Sequence, residues 1–342
     1  MKAVRFHRHG GPDVLQYEEA PDPAPNSDEA LVRVKACALN HLDLWARNGL
    51  PNVAIPLPHI SGSDIAGVVE WVPPEEEQLS KGDEVIVNPG IGCGHCDRCL
   101  SGKDDQCRDY TIIGYEIDGG YAELVKVRRT HLIRKPDGMT FEEAASFPLV
   151  FETAYHMLVT KARAGPGDTV LVLAANSGVG SAAVQIAKLL GARVIATAGG
   201  AEKLERAKNL GADSTIDHYR QDVLSEVRRL TDKRGVDVVI EHVGKSTWEG
   251  SLRALAKGGR LVTCGATTGA QVSTDLRYVY NRELTIYGSF MAGMGELLEV
   301  VRLFEKGRLK TVVDSVYPLE KAAEAQARLE GSKHFGKIVL TV

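Results

Sequence analysis

Six cysteines occur in the 342 residues, and four of them fall inside one stretch of fifteen residues. These four follow the spacing C-x2-C-x2-C-x7-C and are Cys93, Cys96, Cys99 and Cys107. Thiolates this close together are ligands for a soft or borderline metal, and zinc accepts four sulfurs tetrahedrally without redox chemistry. Because four cysteine ligands leave no position for water or substrate, the pattern predicts one structural zinc ion per chain.

Three other interpretations of the cysteine cluster stay open. An iron–sulfur run shares the first three cysteines, but here the fourth comes eight positions later and is followed by Arg108 instead of proline. Two disulfides would need an oxidising compartment, to which nothing in the sequence points. A zinc-ribbon module for nucleic acid is expected in a basic chain, whereas this chain has a net charge of −4.

The composition is that of a globular protein of about two domains, with 44% hydrophobic and 25% charged residues. The N-terminal sequence MKAVRFHRHG begins directly with a strand-like alternation instead of the pattern of a signal peptide. No apolar run approaches the ~18 residues that a membrane span needs. We therefore expect a cytoplasmic protein with no nucleic-acid or membrane partner.

Two different sequence patterns divide the chain into domains, and these domains must position the candidate functional residues. Residues 1–150 contain short β-type runs between glycine- and proline-rich turns, which predicts an irregular β-barrel with a zinc lobe at about 90–110. Residues 151–289 alternate strand and helix patterns, which predicts a doubly wound parallel sheet. Residues 290–342 are assigned back to the first domain. The fold class is therefore α/β.

A small-residue turn follows the first strand of the second domain. The apolar run Thr169–Ala175 leads into Asn176–Gly180 and then a helical pattern. Backbone N–H groups and the helix dipole at such a turn attract a phosphate, so Ser177, Gly178, Val179 and Gly180 are candidate dinucleotide contacts. A tight packing turn is the alternative, but the βαβ repetition favours the dinucleotide.

The end of the next strand bears on the choice of coenzyme. An acid there binds the ribose hydroxyl of NAD, but the sequence Ala196–Gly200 contains none. The vacancy leaves room for a 2′-phosphate, with Lys203 and either Tyr219 or Arg220 as partners. The pattern therefore favours NADP(H) over NAD(H).

The zinc lobe, GDEV at 82–85, AANSGVG at 174–180 and FGKIVL at 335–340 together resemble the medium-chain dehydrogenase/reductase superfamily. That family pairs a GroES-like barrel with a Rossmann domain, and its active site lies in the cleft. The resemblance implies that Lys337 reaches the cofactor phosphates. The residues implied to contact or flank the nicotinamide are Thr153, Val243, Gly265, Ser289 and Phe290.

The family's alcohol dehydrogenases also carry a catalytic zinc, and the resemblance places its three ligands at Asn40, Ser63 and Leu149 or Val150. All three positions hold residues poor at binding zinc. The segment LNHLD at 39–43 is similar to the quinone oxidoreductase branch, which transfers hydride without metal. Without a metal, Asn40 and Ser63 are the candidate donors to an oxyanion.

The candidate proton carriers beside those donors are His41, Asp43 and Asp64. We therefore expect an NAD(P)H-dependent reductase of small electrophilic substrates, either quinones or α,β-unsaturated carbonyls. One alternative is an alcohol dehydrogenase with a second zinc bound through a shifted set of ligands, drawn from Cys37, His41, His59 and Asp64. Another is a nucleotide-binding sensor without activity. The weakly charged segment at 283–290 predicts a paired edge strand, and so a homodimer or homotetramer.

Overall fold

The chain divides into two compact units. The structure, a computed structural model, describes residues 1–50 and 53–342. The first unit comprises Met1–Leu149 and Gly293–Val342, and the second comprises Val150–Ala292. The sequence pattern places these two breaks after residues 150 and 289.

The first unit is built mainly from short strands. The strands of its N-terminal segment are β1 (Lys2–Phe6), β2 (Gln16–Glu19), β3 (Glu29–Ala38), β4 (His59–Ile60), β5 (Asp64–Trp71), β6 (Glu84–Val87), β7 (Gly90–Ile91), β8 (Thr111–Ile112), β9 (Leu124–Arg128) and β10 (Leu132–Arg134). The helices of this segment are α1 (His41–Asn48), α2 (Asp97–Leu100) and α3 (Phe141–Ala145).

The second unit alternates helices and strands. These elements are α4 (Pro148–Tyr155, which begins in the first unit), β11 (Thr169–Val172), α5 (Gly178–Leu189), β12 (Arg193–Ala198), α6 (Ala201–Asn209), β13 (Ser214–Asp217), α7 (Val223–Leu230), β14 (Val236–Glu241), α8 (Trp248–Ala254), β15 (Leu255–Thr263), α9 (Leu276–Asn281) and β16 (Thr285–Gly288). The chain then returns to the first unit through α10 (Met294–Glu305), β17 (Val313–Pro318), α11 (Ala322–Glu330) and β18 (Lys337–Thr341).

A seven-stranded sheet organises the first unit, in the order β10-β6-β5-β3-β18-β17 with β9 also paired to β3. The C-terminal strand β18 pairs antiparallel with β3, and β3 pairs antiparallel with β5. A second sheet has the order β2-β1-β4, and β7 pairs with β8 beside the cysteines. An apolar cluster packs between these elements and includes Val32, Ile65, Tyr121 and Leu340.

A six-stranded parallel sheet organises the second unit, in the order β13-β12-β11-β14-β15-β16. This is the strand order of a doubly wound dinucleotide-binding fold, so the predicted fold class is confirmed. Every residue of β11 is buried, as expected for a central strand covered on both faces. The strand ends at Val172, three residues earlier than the apolar run suggests.

The helix α1 is absent from the sequence-based prediction. Its N-terminal residue follows Asn40, whose backbone N–H donates to the Asp43 carboxylate at 2.7 Å. An acid three residues into a helix that accepts the N-cap N–H stabilises the first turn. Asp43 therefore has a structural role in addition to the proton-carrying role expected of it.

Two further expectations concern surfaces of the molecule. Within residues 1–50 and 53–342, no helix combines the length and apolar character needed to cross a membrane. The strand β16 lies at one edge of the parallel sheet, and the side chain of Ile286 on it is 38% exposed. The edge position is the one on which the expectation of a homo-oligomer depends.

Candidate active site

The four clustered cysteines are arranged as ligands of one metal ion. Their Sγ atoms all lie within 4.8 Å of one another, and Cys96 Sγ is 3.6 Å from Cys99 Sγ and 3.8 Å from Cys107 Sγ. A tetrahedral zinc ion with bonds of ~2.3 Å separates its sulfur ligands by about 3.8 Å. The four thiols therefore fit a closed, structural zinc site.

Backbone groups hold these thiols in place. Cys93 Sγ accepts a hydrogen bond from Cys96 N–H at 3.4 Å, and Cys107 Sγ accepts one from Cys93 N–H at 3.3 Å. The same lobe reaches the C-terminal segment, because both Asp104 carboxylate oxygens lie 3.2 Å from the backbone N of Met294. An acid from the zinc lobe thus caps the first turn of α10.

A second polar cluster, formed by Asn40, Asp64 and Lys337, lies at the ends of three neighbouring strands. The Lys337 ammonium is 2.7 Å from Asp64 Oδ2 and 2.5 Å from Asn40 Oδ1. The Asn40 amide nitrogen donates to the same Asp64 oxygen at 2.9 Å. All three residues are at least 93% buried. This arrangement places a fixed positive charge beside the asparagine that the sequence singled out.

The sheet register explains how residues so distant in sequence meet. Ala38 pairs with Asp64 across β3 and β5, and with Val339 across β3 and β18. Asp64 therefore begins β5, Lys337 begins β18, and Asn40 follows the end of β3. The prediction that Lys337 contacts cofactor phosphates stays untested, but its ammonium is already engaged by Asp64 and Asn40.

Asp43 lies beside this cluster and is fully buried. Its Oδ2 accepts from the Tyr121 hydroxyl at 3.0 Å as well as from Asn40 N–H, and its Oδ1 accepts from Gly62 N–H at 3.2 Å. Burial raises the pKa of the Asp43 carboxyl to about 6, although the hydrogen bonds and Lys337 oppose that shift. The carboxyl therefore titrates close to neutral pH.

Ser63 and Leu149 occupy the other two positions assigned to catalytic zinc ligands. The Ser63 hydroxyl is buried, and among the described residues it has no hydrogen-bond partner. The Leu149 backbone N–H donates to Asp64 Oδ1 at 2.8 Å. His41, the first residue of α1, is half-buried.

The residues around Asn40 do not fit a catalytic zinc ion. Within the described part of the chain, the four cysteines are the only group of three or more His, Cys, Asp or Glu side chains placed to hold a metal. The shifted set does not converge either: His59 Nε2 lies 3.2 Å from Gly114 O, and burial raises the pKa of the Cys37 thiol well above its usual range. The Lys337 ammonium supplies a cation at this place instead.

The turn after β11 has the features of a pyrophosphate site. Ser177 caps α5, with its Oγ accepting from Gly180 N–H at 2.9 Å. A Cβ on Gly180 would lie 2.3 Å from Ala174 O, so the close turn requires glycine there. At a helix N-terminus the first N–H groups point away from the helix, here those of Gly178 and Val179. The turn therefore fits the phosphates of a dinucleotide.

The residues expected to flank the nicotinamide follow three adjacent strands of the parallel sheet. Val243 comes after β14, Gly265 after β15 and Ser289 after β16. Because neighbouring parallel strands end at the same edge, these three positions share the carboxyl edge with the turn of Ser177. Thr153 is buried on α4, and Phe290 is 57% exposed.

Asp217 is an acid beside the end of β12 that the sequence alone does not place there. It pairs in register with Ala198, the last residue of β12, and its Oδ1 accepts from Gly200 N–H at 3.3 Å and Tyr219 N–H at 3.0 Å. The Tyr219 ring lies over Gly199, since a Cβ there would be 2.1 Å from it. The acid belongs to the neighbouring strand β13, and strand pairing brings it to the end of β12. The sequence of β12 alone gives no sign of it.

His242, which follows β14, is a second residue without an expected role. Its Nε2 lies 3.0 Å from Leu173 O and 3.4 Å from Ser177 Oγ. Burial lowers the pKa of its imidazole, so the ring is neutral near pH 7. The histidine thus supports the residue that caps α5. No spacing in the sequence connects it to Ser177.

Two family models match the chain. The model for zinc-binding dehydrogenases matches residues 178–306, and the model for the alcohol dehydrogenase GroES-like domain matches residues 26–137. An NAD-dependent alcohol dehydrogenase of Saccharolobus solfataricus is 35% identical over 349 aligned positions, which cover 99% of both chains. The chain belongs to the medium-chain dehydrogenase/reductase family.

Other relatives cover the same length under different names. A quinone oxidoreductase of Rattus norvegicus is 30% identical over 348 aligned positions, covering 99% of this chain and 97% of that protein. A crystal structure of an NAD-dependent alcohol dehydrogenase matches with a TM-score of 0.97, 49% identity and full coverage of both chains. This medium-chain dehydrogenase/reductase is an NAD(P)-dependent oxidoreductase, so the alternative of a sensor without activity is not retained.

Proposed function

We propose that this medium-chain dehydrogenase/reductase transfers hydride from NAD(P)H to a quinone or an α,β-unsaturated carbonyl without a catalytic metal. The observation that carries the proposal is the salt bridge between Lys337 and Asp64, 2.7 Å long and buried next to Asn40. Asn40 stands at the first position that the resemblance gives to a zinc ligand. Asn40 offers no thiolate there, and its amide is engaged by Asp64 and Lys337, so the position is poor at binding Zn²⁺.

The chemistry of the site supports an acceptor that is already electrophilic. A metal polarises an unactivated carbonyl strongly, whereas uncharged donors such as the Ser63 hydroxyl and the Asn40 amide do so more weakly. Quinones and enones need less polarisation because hydride addition gives a delocalised anion. We assign oxyanion binding to Asn40 and Ser63, and keep His41, Asp43 and Asp64 as groups that shape the site or carry protons.

The proposed coenzyme contacts lie on the second unit. Gly178 and Val179 would bind the pyrophosphate through their N–H groups, while Thr153, Val243, Gly265, Ser289 and Phe290 would contact the nicotinamide. When bound, the coenzyme supplies the hydride. For the adenosine end we propose NADP(H) over NAD(H), with Lys203 and Tyr219 beside the 2′-phosphate.

Asp217 bears on the coenzyme proposal because its carboxylate lies beside the end of β12, where we propose that the adenosine ribose binds. Two N–H groups and the Arg220 guanidinium, 3.9 Å away, offset the charge of this carboxylate in part. A kcat/KM for NADPH above that for NADH supports the proposed preference, and the reverse ratio contradicts it. The substitution Asp217→Asn should raise the NADPH/NADH ratio, because it removes a carboxylate that repels the phosphate.

The second candidate is an alcohol dehydrogenase, the name carried by the Saccharolobus solfataricus relative and by the matched crystal structure. It is separated from the reductase by two measurements on one preparation. Elemental analysis should find one zinc per chain, held by the cysteines. A steady-state panel with NADH and NADPH should show turnover of quinones or enones well above that of aldehydes, and little oxidation of alcohols with NAD⁺ or NADP⁺.

Two zinc ions per chain, together with alcohol oxidation that a mild chelator abolishes, would establish the alcohol dehydrogenase and remove the metal-free proposal.

We also propose a homodimer or homotetramer formed through the exposed edge strand β16. Light scattering coupled to gel filtration tests this at micromolar concentration, where a monomer contradicts it. The substitution Ile286→Arg should then shift the population toward monomer.

A further inference from the structure

Lys337 is a buried cation whose position is fixed from several sides. Its side chain is 4% exposed, and that of its partner Asp64 is fully buried. An ammonium carries three N–H donors, and the contacts found among the described residues use two of them, to Asp64 and Asn40. One donor is therefore left for a further acceptor at the same place.

The partners of Lys337 are themselves held in place. Asp64 Oδ1 accepts from Leu149 N–H, and its Oδ2 accepts from the Asn40 amide as well as from the ammonium. The Asn40 backbone is fixed in turn by Asp43. A buried ion pair contributes little net stability, because desolvation offsets the attraction. Stability alone therefore gives a weak reason to keep a lysine here, whereas a preorganised positive charge has a direct use in catalysis.

We propose that the Lys337 ammonium is the electrophile of the reaction, donating a hydrogen bond to the substrate carbonyl oxygen alongside the donors Asn40 and Ser63, and that Asp64 is a positioning residue. The inference rests on the proposed function. Hydride leaves the nicotinamide with its electron pair and forms a C–H bond at the β carbon of the enone or at a ring carbon of the quinone. The C=C π pair shifts toward the carbonyl carbon and the carbonyl π pair moves to oxygen, where the ammonium stabilises the enolate. The quinone adduct becomes the hydroquinone when, in addition, a proton of that ring carbon moves to the second oxygen. Water then supplies the proton, so the lysine ends the cycle with its charge unchanged.

The phosphate role expected of Lys337 makes a different prediction from the electrophile role. A lysine that binds cofactor phosphates acts on coenzyme affinity, so its removal raises the dissociation constant for NAD(P)H. An electrophile acts on the transition state, so its removal lowers kcat and leaves that constant unchanged. The two effects are measured separately, by fluorescence titration with NAD(P)H and by steady-state reduction of 2-cyclohexenone and 1,4-benzoquinone.

The test uses Lys337→Met, which keeps a long, unbranched side chain and removes the charge. We expect kcat for the enone to fall about 100-fold or more, as on loss of an oxyanion donor, with NAD(P)H affinity within about 3-fold. The quinone, which is more electrophilic, should lose less. Lys337→Arg should restore part of the rate because it restores the charge.

Two further variants guard against a loss of folding. Lys337→Met leaves the Asp64 charge buried and unpaired, so the double variant with Asp64→Asn removes both charges together. Lys135→Met is the matched control: Lys135 is a lysine of the same unit, 6% exposed, whose Nζ lies 3.0 Å from Glu84 Oε2. It should lower stability and leave kcat unchanged.

The outcomes separate the inference from the function on which it rests. If the wild type reduces enones and both Lys337 variants without charge do so at similar rates, Lys337 is not the electrophile, while the proposed function stands. If only the dissociation constant for NAD(P)H rises, Lys337 is a phosphate ligand. If the wild type reduces neither enones nor quinones, the proposed function and the role of Lys337 both fail.

Discussion

At the scale of single residues, Asn40 links the start of helix α1 to the buried ion pair of Asp64 and Lys337. Its backbone N–H is bound by Asp43 at the start of α1, and its side chain contacts both Asp64 and Lys337. The sequence singles out Asn40 because the surrounding LNHLD motif fixes its position, and the structure adds its contacts with Asp64 and Lys337. The sequence could not connect Lys337 to the same place, since the two are 297 positions apart and only strand pairing brings them together.

The titration of Asp43 is a prediction at this scale. Burial raises the pKa of its carboxyl in the folded protein to about 6, above the value of 3.8 for a free side chain. The folded state therefore takes up a proton at higher pH than the unfolded state. The resulting stabilisation is fully present at low pH and is lost as pH rises through about 6.

Between pH 8 and pH 5 the wild type should gain about 1.5 kcal/mol relative to Asp43→Asn, which does not titrate. Urea unfolding of both proteins across this range measures the difference. Asp28→Asn, on the exposed surface, is the control. A stability difference that stays constant with pH, or that shrinks as pH falls, would show that the pKa of the Asp43 carboxyl is not raised.

At the scale of elements, the turn between β11 and α5 depends on one close approach. The turn could be predicted because its small residues stand between a buried strand and a helix. The contacts within the turn could not be predicted. Ser177 caps the helix, and the carbonyl of Ala174 leaves no room for a Cβ on Gly180. The place of Asp217 could not be predicted for a related reason: it lies beside Ala198 because β12 and β13 pair in the sheet, and the sequence does not show that pairing.

Gly180→Ala should therefore destabilise the second unit by roughly 1–3 kcal/mol and weaken NAD(P)H binding, because the new methyl group displaces the turn. Gly250→Ala is a matched change, since Gly250 is exposed on α8 and a Cβ there meets nothing within 4 Å. That change should stabilise the protein by about 0.5–1 kcal/mol through helix propensity. Thermal unfolding and coenzyme titration of both variants test the pair; equal effects would refute the proposed crowding.

At the scale of the whole molecule, the zinc lobe is tied to a distant part of the chain. Asp104, between the third and fourth cysteines, binds the N–H of Met294 at the start of α10. The four-cysteine spacing predicted the lobe and its metal. Its attachment to α10 was not predictable, because nothing in the sequence around residue 294 points to residue 104.

Removal of the zinc should therefore loosen α10 as well as the lobe. We expect faster amide hydrogen exchange in the first turn of α10 after treatment with a strong chelator, together with a lower Tm. Asp104→Ala should reproduce the exchange at α10 with zinc still bound, at a loss of about 1 kcal/mol. Asp109→Ala, an exposed acid of the same lobe, is the control. Unchanged exchange at α10 in the zinc-free protein would show that the lobe and the helix are independent.

The place of β18 in the central sheet has a consequence for the biosynthesis of the protein. Lys337 is made 297 residues after Asn40, which at roughly 5–20 residues per second corresponds to about 15–60 s of translation. The cysteines are all present long before that, so the nascent chain can take up zinc while Asp64 still lacks its cation. Until β18 leaves the ribosome, one side of the C-terminal half of β3 has no strand beside it. Zinc binding by the cysteines and closure of the Asp64–Lys337 ion pair would thus be separate events in the synthesis of each molecule.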